Sequence, residues 1–301
     1  LYTTIGGWML SYFFKMAKGE FQGLDTKGVS QAFDSLRADA PTMIFWMFLV
    51  VILSFLVCSM GLQSGVERIN KIMMVVLLLL MGVLALKFYL VPDFGKLMEN
   101  GISEAVFAAM GQAFFTLSLG IGALGIFGSY IGKERKLTGE AVNILILDTT
   151  VALIAGMIIF PACFAFGINP GEGPGLVFVT LPNVFNEMPG GRLWGALFFL
   201  FMTFAALSTI IAVFQNLISF AQDLWNWSLK KAVVVNGVAV FVLSLPCIFG
   251  MTVWSDFTIL GKQIMDFEDF LVSNNMLPLG SLVYLLCLLY TSPSPRDPKT
   301  S

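Results

Sequence analysis

The stretch Gly111–Gly122 reads GQAFFTLSLGIG and places glycines and polar side chains in the middle of a long run without charge. Glycine weakens a helix by about 1 kcal/mol relative to alanine. Irregular backbone at membrane depth is tolerated only where it lines a cavity or is buried in protein. The stretch therefore predicts either a broken membrane helix that aims its ends at ions and substrates or small residues that allow close helix packing.

The rest of the chain is too apolar for a soluble domain. Of its 301 residues, 57% are hydrophobic and 12% are charged, against about 45–50% and about 25% in soluble domains. The sequence has no histidine, which removes His-liganded metals and Ser-His or Cys-His catalysis. Its four cysteines match neither a zinc site nor a disulfide framework, and no basic cluster is long enough to bind nucleic acid. The composition favours an all-α polytopic membrane protein.

Eight segments approach the length of about 20 mostly apolar residues that a membrane-spanning helix needs. The predicted spans, with the first and the last truncated, are Leu1–Ala17, Pro41–Leu62, Ile72–Val91, Ala105–Ile131, Ala141–Ile168, Leu193–Ala221, Ala232–Val253 and Phe270–Leu286. We expect residues 1–286 to form the membrane domain. Residues 287–301 begin CLLYTSPSPRD, which resembles a translated sequencing adapter, and we expect a non-native tail there; the alternative is a genuine Pro/Ser-rich polar tail.

The charges of the loops predict the orientation of the spans. Three short loops, Gln63–Lys71, Gly132–Glu140 and Gln222–Lys231, are rich in lysine and arginine. Because basic loops stay in the cytoplasm, the first span runs outward. The longer, more acidic loops Lys18–Asp39 and Asn169–Gly191 are then external, and we expect them to cap an outer mouth. The chain is thus predicted to cross the cytoplasmic membrane several times.

Three features within the predicted spans carry chemical information. Asp148 is the one charge deep inside a span, so by default it faces a cavity or a partner, either a bound cation or a transferable proton; the alternative is an interfacial position. The adjacent hydroxyls of Ser208 and Thr209 can bond back to their own helix or offer oxygen ligands to a hard cation such as sodium. Tyr2 fits an interfacial aromatic belt or, if it lies near mid-span, a cavity.

Several long strings resemble one family. GQAFFTLSLGIGALGIFGSYIGKE (Gly111–Glu134) resembles the broken sixth span of the neurotransmitter:sodium symporter family, bacterial branch. IGGWMLSYFFK (Ile5–Lys15), GPGLVFVTLP (Gly173–Pro182) and TFAALSTIIAVFQ (Thr203–Gln215) resemble the same family in the same order. The resemblance implies two inverted five-helix repeats. This chain would hold spans three to ten, and the first two and the last two spans would be missing.

The resemblance also implies two sodium sites, each incomplete here because the first span would supply further ligands. Thr116 and Asp148 would belong to the first site. Ala205, Ser208 and Thr209 would form the second, with Ala205 contributing its carbonyl oxygen. The family often has asparagine where this chain has Asp148. A fixed carboxylate can replace chloride beside sodium, so we expect transport without chloride.

The substrate site implied by the resemblance is mostly apolar. Its residues would be Tyr2, Phe115, Thr116, Ser118, Ile121, Thr209 and Val213. Tyr2 resembles the tyrosine that bonds the substrate carboxylate, and Phe115 resembles an aromatic lid. Either Asp266 or Asp269 resembles the acid of the outer gate. Ile121 stands where an aromatic residue is common, which changes the shape of the pocket.

Together these features predict sodium-coupled symport of an apolar or aromatic amino acid, with no enzymatic step. The predicted partners are the amino acid, two sodium ions and the lipid bilayer; the oligomeric state is open. Two alternatives stand beside this prediction. One is a proton-coupled carrier that uses Asp148, and the other is a membrane subunit that transports nothing.

Overall fold

The computed structural model describes residues 1–60, 75, 79, 102–117, 119–122, 136–166 and 173–291. The helices in these ranges are α1 (Tyr2–Lys18), α2 (Thr26–Ala38), α3 (Ala40–Met60), α4 (Ile102–Thr116), α5 (Leu137–Phe166), α6 (Leu181–Asn186), α7 (Gly191–Trp225), α8 (Leu229–Met251), α9 (Ile264–Leu271) and α10 (Leu277–Thr291). A 3-10 turn, Leu119–Ile121, follows α4. Two π-helical turns, Leu176–Thr180 and Val272–Met276, lead into α6 and α10.

The long helices follow the predicted spans closely. Five segments of the described ranges are long and apolar enough to cross a bilayer, namely Ala40–Ser59, Leu137–Pro161, Gly191–Trp225, Leu229–Met251 and Ile264–Thr291. The shorter α1 covers the predicted first span, and α4 covers the first part of the fourth.

Two predicted boundaries differ from the helices of the described ranges or lie outside them. The predicted span Ile72–Val91 lies outside the described residues, apart from the helical Val75 and Leu79. Helix α10 runs on to Thr291, so the predicted start of the tail at residue 287 falls inside a helix.

The chain divides into two compact units. The first comprises Leu1–Phe94 and Asn143–Met265, and the second comprises Gly95–Val142 and Asp266–Ser301. The predicted site residues are split between the two units.

In the first unit α1 packs against α3 and α7. The crossing of α1 and α3 depends on Gly7, where a Cβ atom would lie 2.8 Å from the backbone nitrogen of Met47. A buried hydrogen bond of 2.9 Å between the hydroxyls of Thr3 and Ser244 joins α1 to α8. These contacts fix α1, which carries Tyr2 near its start, beside α7.

The predicted outer loops of this unit contain helices that the sequence analysis did not predict. Helix α2 begins where the Asp25 carboxylate accepts a 2.8 Å hydrogen bond from the Gly28 amide, a favourable N-cap. Its inner face buries Val29, Phe33 and Leu36. Because this segment is amphipathic and short, it lacks the continuous hydrophobicity of a membrane span.

In the second unit the helix α4 ends at Thr116, and the chain continues through the 3-10 turn. Gly122 has φ +71°, in the left-handed region that favours glycine. A Cβ atom at Gly120 would collide with the backbone of Leu277. The predicted helix break is therefore confirmed in the described residues, and the alternative of close packing by small residues holds as well.

Candidate functional site

Helix α7 gathers three oxygen atoms within one turn. The Ser208 hydroxyl donates to the carbonyl oxygen of Ala205 at 2.8 Å, and the Thr209 hydroxyl donates to the same oxygen at 3.3 Å. A carbonyl oxygen has only two lone pairs, so the two hydroxyls and the helical amide compete for it. The hydroxyls therefore bond back to their own helix, and three neutral oxygens lie together; their role as ligands of a cation stays a prediction.

Tyr2 reaches this oxygen cluster from α1. Its hydroxyl is hydrogen-bonded to the side chain of Thr209, and its side chain is 38% exposed. Val213 lies four residues after Thr209, on the same face of α7, and is half-buried. The structure therefore brings three of the predicted residues of the first unit, Tyr2, Ser208 and Thr209, to the Ala205 carbonyl, and Val213 lies one helical turn further along α7.

Asp148 lies on another helix of the first unit. It stands near the middle of α5 (Leu137–Phe166), is half-buried, and follows the exposed side chains of Ile146 and Leu147. The hydrogen bonds of the Ala205 oxygen cluster are made without it. Asp148 thus lies within a helix that is long and apolar enough to cross a bilayer, and its depth in the membrane stays a prediction.

The second unit contains a cavity of about 710 Å³. Its lining includes Gln112 and Phe115 from α4, Asp269 from α9, and Ser273 and Asn274 from the second π-helical turn. Phe115 and Asp269, both predicted as gate residues, therefore face the same space. Asp266, the other predicted acid, is exposed and is not part of that lining.

The carboxylate of Asp269 has a fixed neighbour in this cavity. The Ser273 hydroxyl donates to its Oδ1 atom at 2.9 Å. The π-helical turn is held by the side-chain amide of Asn275, whose Nδ2 donates to the carbonyl oxygen of Phe270 at 3.1 Å. π-helical turns often occur at functional sites. Ser273 was not predicted from the sequence, although its spacing of four residues from Asp269 was a usable signal.

Three further predicted residues belong to the end of α4 and the segment that follows it. Thr116 is exposed at the last position of α4, next to the break. Ser118 lies outside the described residues. The backbone of Ile121 ends the 3-10 turn, and its side chain is also outside the described part of the chain.

Comparisons with known proteins agree on one family. The model of the sodium:neurotransmitter symporter family matches residues 26–267. An uncharacterized sodium-dependent transporter of Bacillus subtilis, YhdH, is 35% identical over 95% of this chain and 65% of its own length. One from Haemophilus influenzae is 34% identical over 93% of this chain and 64% of its own length. The chain thus spans slightly less than two thirds of these relatives.

A solved structure shares the fold. The crystal structure of MhsT in complex with L-phenylalanine has a TM-score of 0.89 and 35% identity, and the match covers 98% of this chain and 69% of that one. More distant relatives include human transporters, a sodium- and chloride-dependent taurine transporter with 24% identity and a sodium- and chloride-dependent creatine transporter with 28%.

Proposed function

The chain belongs to the sodium:neurotransmitter symporter family, and we propose that it is the central part of a symporter that carries an apolar or aromatic amino acid with sodium. The family consists of membrane transporters and not of enzymes, and the predicted all-α transporter fold is confirmed by the likeness to MhsT. Transport would take place across the cytoplasmic membrane, as the basic short loops predict.

The observation that carries this proposal is the cluster of oxygen atoms at Ala205, Ser208 and Thr209. Hard cations prefer neutral and anionic oxygen ligands. Rotation of the two hydroxyl protons away from the Ala205 carbonyl would turn three lone pairs toward one ion without moving the helix backbone. The cluster would then be part of a sodium site, to which other parts of the protein add ligands.

Tyr2 couples this cluster to the substrate in our proposal. Its hydroxyl already contacts Thr209, and a phenol can donate a hydrogen bond to a carboxylate. An amino-acid carboxylate bound by Tyr2 would lie next to the ion site, so that each ligand would favour the binding of the other. Phe115, Thr116, Ser118, Ile121 and Val213 are proposed as the remaining substrate contacts on this chain.

The proposed substrate class rests on the apolar side chains of the pocket. Val213 and Ile121 offer no charge to a charged side chain, and MhsT, which shares the fold, was solved with L-phenylalanine. For the outer gate we propose Phe115 and Asp269 rather than Asp266, because Phe115 and Asp269 line the same cavity.

Asp148 is proposed as a ligand of the other sodium ion, that of the first site, together with Thr116. Its carboxylate would supply the negative charge that chloride brings elsewhere, so we propose chloride-independent transport. The alternative role of Asp148 as a proton carrier gives a different ion dependence, and the experiment below distinguishes the two.

The test is uptake of radiolabelled L-phenylalanine by proteoliposomes that contain the full-length protein. We expect uptake with an inward sodium gradient, in chloride or gluconate, and none with a proton gradient alone. Ser208→Ala should raise the sodium concentration needed for half-maximal uptake. The matched control is Thr203→Ala on the same helix, whose buried hydroxyl donates to the Phe199 carbonyl at 2.7 Å. Uptake driven by protons without sodium would refute the proposal.

A further inference from the structure

Two consecutive side chains near the start of α1 hold this helix to two different neighbours. Consecutive residues of an α-helix are about 100° apart around its axis, so Tyr2 and Thr3 point in different directions. The Tyr2 hydroxyl is hydrogen-bonded to Thr209 of α7, and the Thr3 hydroxyl lies 2.9 Å from the Ser244 hydroxyl of α8. From this arrangement we infer that Thr3, held by Ser244, is a positioning residue for the hydroxyl of Tyr2. This role rests on the proposed function, in which Tyr2 binds the carboxylate of the substrate.

The hydrogen bond between Thr3 and Ser244 has a defined direction. The Ser244 hydroxyl donates to the Val240 carbonyl of its own helix at 2.8 Å. Because a hydroxyl carries only one proton, Ser244 accepts the bond and Thr3 donates it. Both side chains are buried, each with 6% of its surface exposed, and a buried donor that loses its acceptor is costly. The bond between Thr3 and Ser244 therefore resists any movement that would pull α1 away from α8.

The restraint at Thr3 matters for Tyr2 because a single hydrogen bond does not fix the rotation of a helix about its own axis. Helical Cα atoms lie about 2.3 Å from the axis, and a tyrosine hydroxyl lies much further out. A small rotation of α1 therefore moves the Tyr2 hydroxyl further than it moves any backbone atom. Two bonds to different helices, at Tyr2 and at Thr3, prevent a rotation that either bond alone would permit.

The third neighbour of α1 sets a distance rather than a rotation. The Thr4 hydroxyl donates to Met47 Sδ of α3 at 3.8 Å, and a thioether is only a weak acceptor. At Gly7 the two backbones approach so closely that a Cβ atom would lie 2.8 Å from the Met47 nitrogen. The spacing of α1 and α3 is thus fixed by backbone contact, whereas the strong hydrogen bonds to α7 and α8 orient α1.

The first test measures sodium-driven uptake of L-phenylalanine by the full-length protein in proteoliposomes. Thr3→Val and Ser244→Ala should each raise the KM for phenylalanine roughly 3- to 10-fold with kcat unchanged, because the substrate carboxylate meets a less well placed Tyr2 hydroxyl. Thr3→Ser keeps the donor and should restore the KM. The control is Ser54→Ala, whose buried hydroxyl donates to the Val50 carbonyl of its own helix at 2.8 Å; this variant should leave the KM unchanged.

The second test requires no transport. Ser244 of α8 and Thr209 of α7 are each hydrogen-bonded to α1, so a double-mutant cycle can measure whether the two bonds support each other. Midpoints of thermal unfolding are compared in sodium-free buffer for Ser244→Ala, Thr209→Val and the double variant. The double variant should lose less than the sum of the single losses, because each bond contributes fully only while the other fixes the rotation of α1. The losses of Ser54→Ala and Thr209→Val should add fully.

Two sets of results would overturn the role of Thr3. One is an unchanged KM in Thr3→Val, or a raised KM that Thr3→Ser does not restore. The other is a cycle in which the losses of Ser244→Ala and Thr209→Val add fully. If the unaltered protein shows no sodium-driven uptake, the proposed function fails instead, and the thermal cycle then decides by itself whether the Thr3 bond holds the Tyr2 hydroxyl in place.

Discussion

Replacing Thr209 by valine removes one hydroxyl while keeping the β-branched shape of the side chain. This hydroxyl donates to the Ala205 carbonyl at 3.3 Å and is bonded to Tyr2. If it is a sodium ligand, its loss costs the energy of an interaction with a charged group, about 1.5–3 kcal/mol. The half-saturating sodium concentration for uptake should then rise roughly 10- to 150-fold. The assay is phenylalanine uptake into proteoliposomes across a series of sodium concentrations.

Thr203→Val is the matched control for this experiment. Thr203 lies on the same helix, is buried, and bonds back to the Phe199 carbonyl at 2.7 Å. If hydroxyls on α7 serve only their own helix, neither Thr203→Val nor Thr209→Val should change the sodium dependence. An unchanged sodium dependence in Thr209→Val, with normal expression, would refute the reasoning.

Four further outcomes are expected. Asp148→Asn should make uptake dependent on chloride, as measured by replacing chloride with gluconate. Equal uptake rates of this variant in both buffers would contradict this. Ser273→Ala should raise the apparent KM for substrate roughly 2- to 5-fold through loss of one exposed hydrogen bond to Asp269, and Ser273→Thr should restore it. Gly7→Ala should destabilise the protein by about 1–3 kcal/mol in thermal unfolding, because its Cβ atom would meet the α3 backbone. Asp39 accepts hydrogen bonds from the hydroxyl and the backbone amide of Thr42, which hold the pKa of its carboxyl below the usual range. The resulting stabilisation is present above the ordinary carboxyl pKa and is lost as the pH falls through the lowered pKa of Asp39. Asp39→Ala should therefore flatten the acid limb of a stability–pH profile.

Hydropathy alone predicted most of the long helices, because a bilayer demands about 20 apolar residues per span. The predicted span Ala232–Val253 corresponds to the helix Leu229–Met251 of the structure, and the predicted span Leu193–Ala221 corresponds to the helix Gly191–Trp225. The helices of the outer loops were missed for a physical reason. The segment Leu176–Asn186 is too short to span, and its burial of Phe178 depends on contacts with distant parts of the chain.

The candidate site was predicted in part from residue types and in part from the resemblance. Adjacent hydroxyls at Ser208 and Thr209 indicated oxygen ligands, and the structure places both on the Ala205 carbonyl. The contact of Thr209 with Tyr2 is invisible in the sequence, because it depends on how α1 packs against α7. The π-helical turn at Val272–Met276 was missed because a change of backbone hydrogen-bond register leaves no mark in composition.

The most direct measurement is a structure of the full-length protein determined in sodium and L-phenylalanine. Our account predicts a sodium ion in direct contact with the Ala205 carbonyl and with the hydroxyls of Ser208 and Thr209, beside a substrate carboxylate bound by Tyr2. Hydroxyls that still donate to the Ala205 carbonyl under saturating sodium, with the ion bound elsewhere, would contradict it.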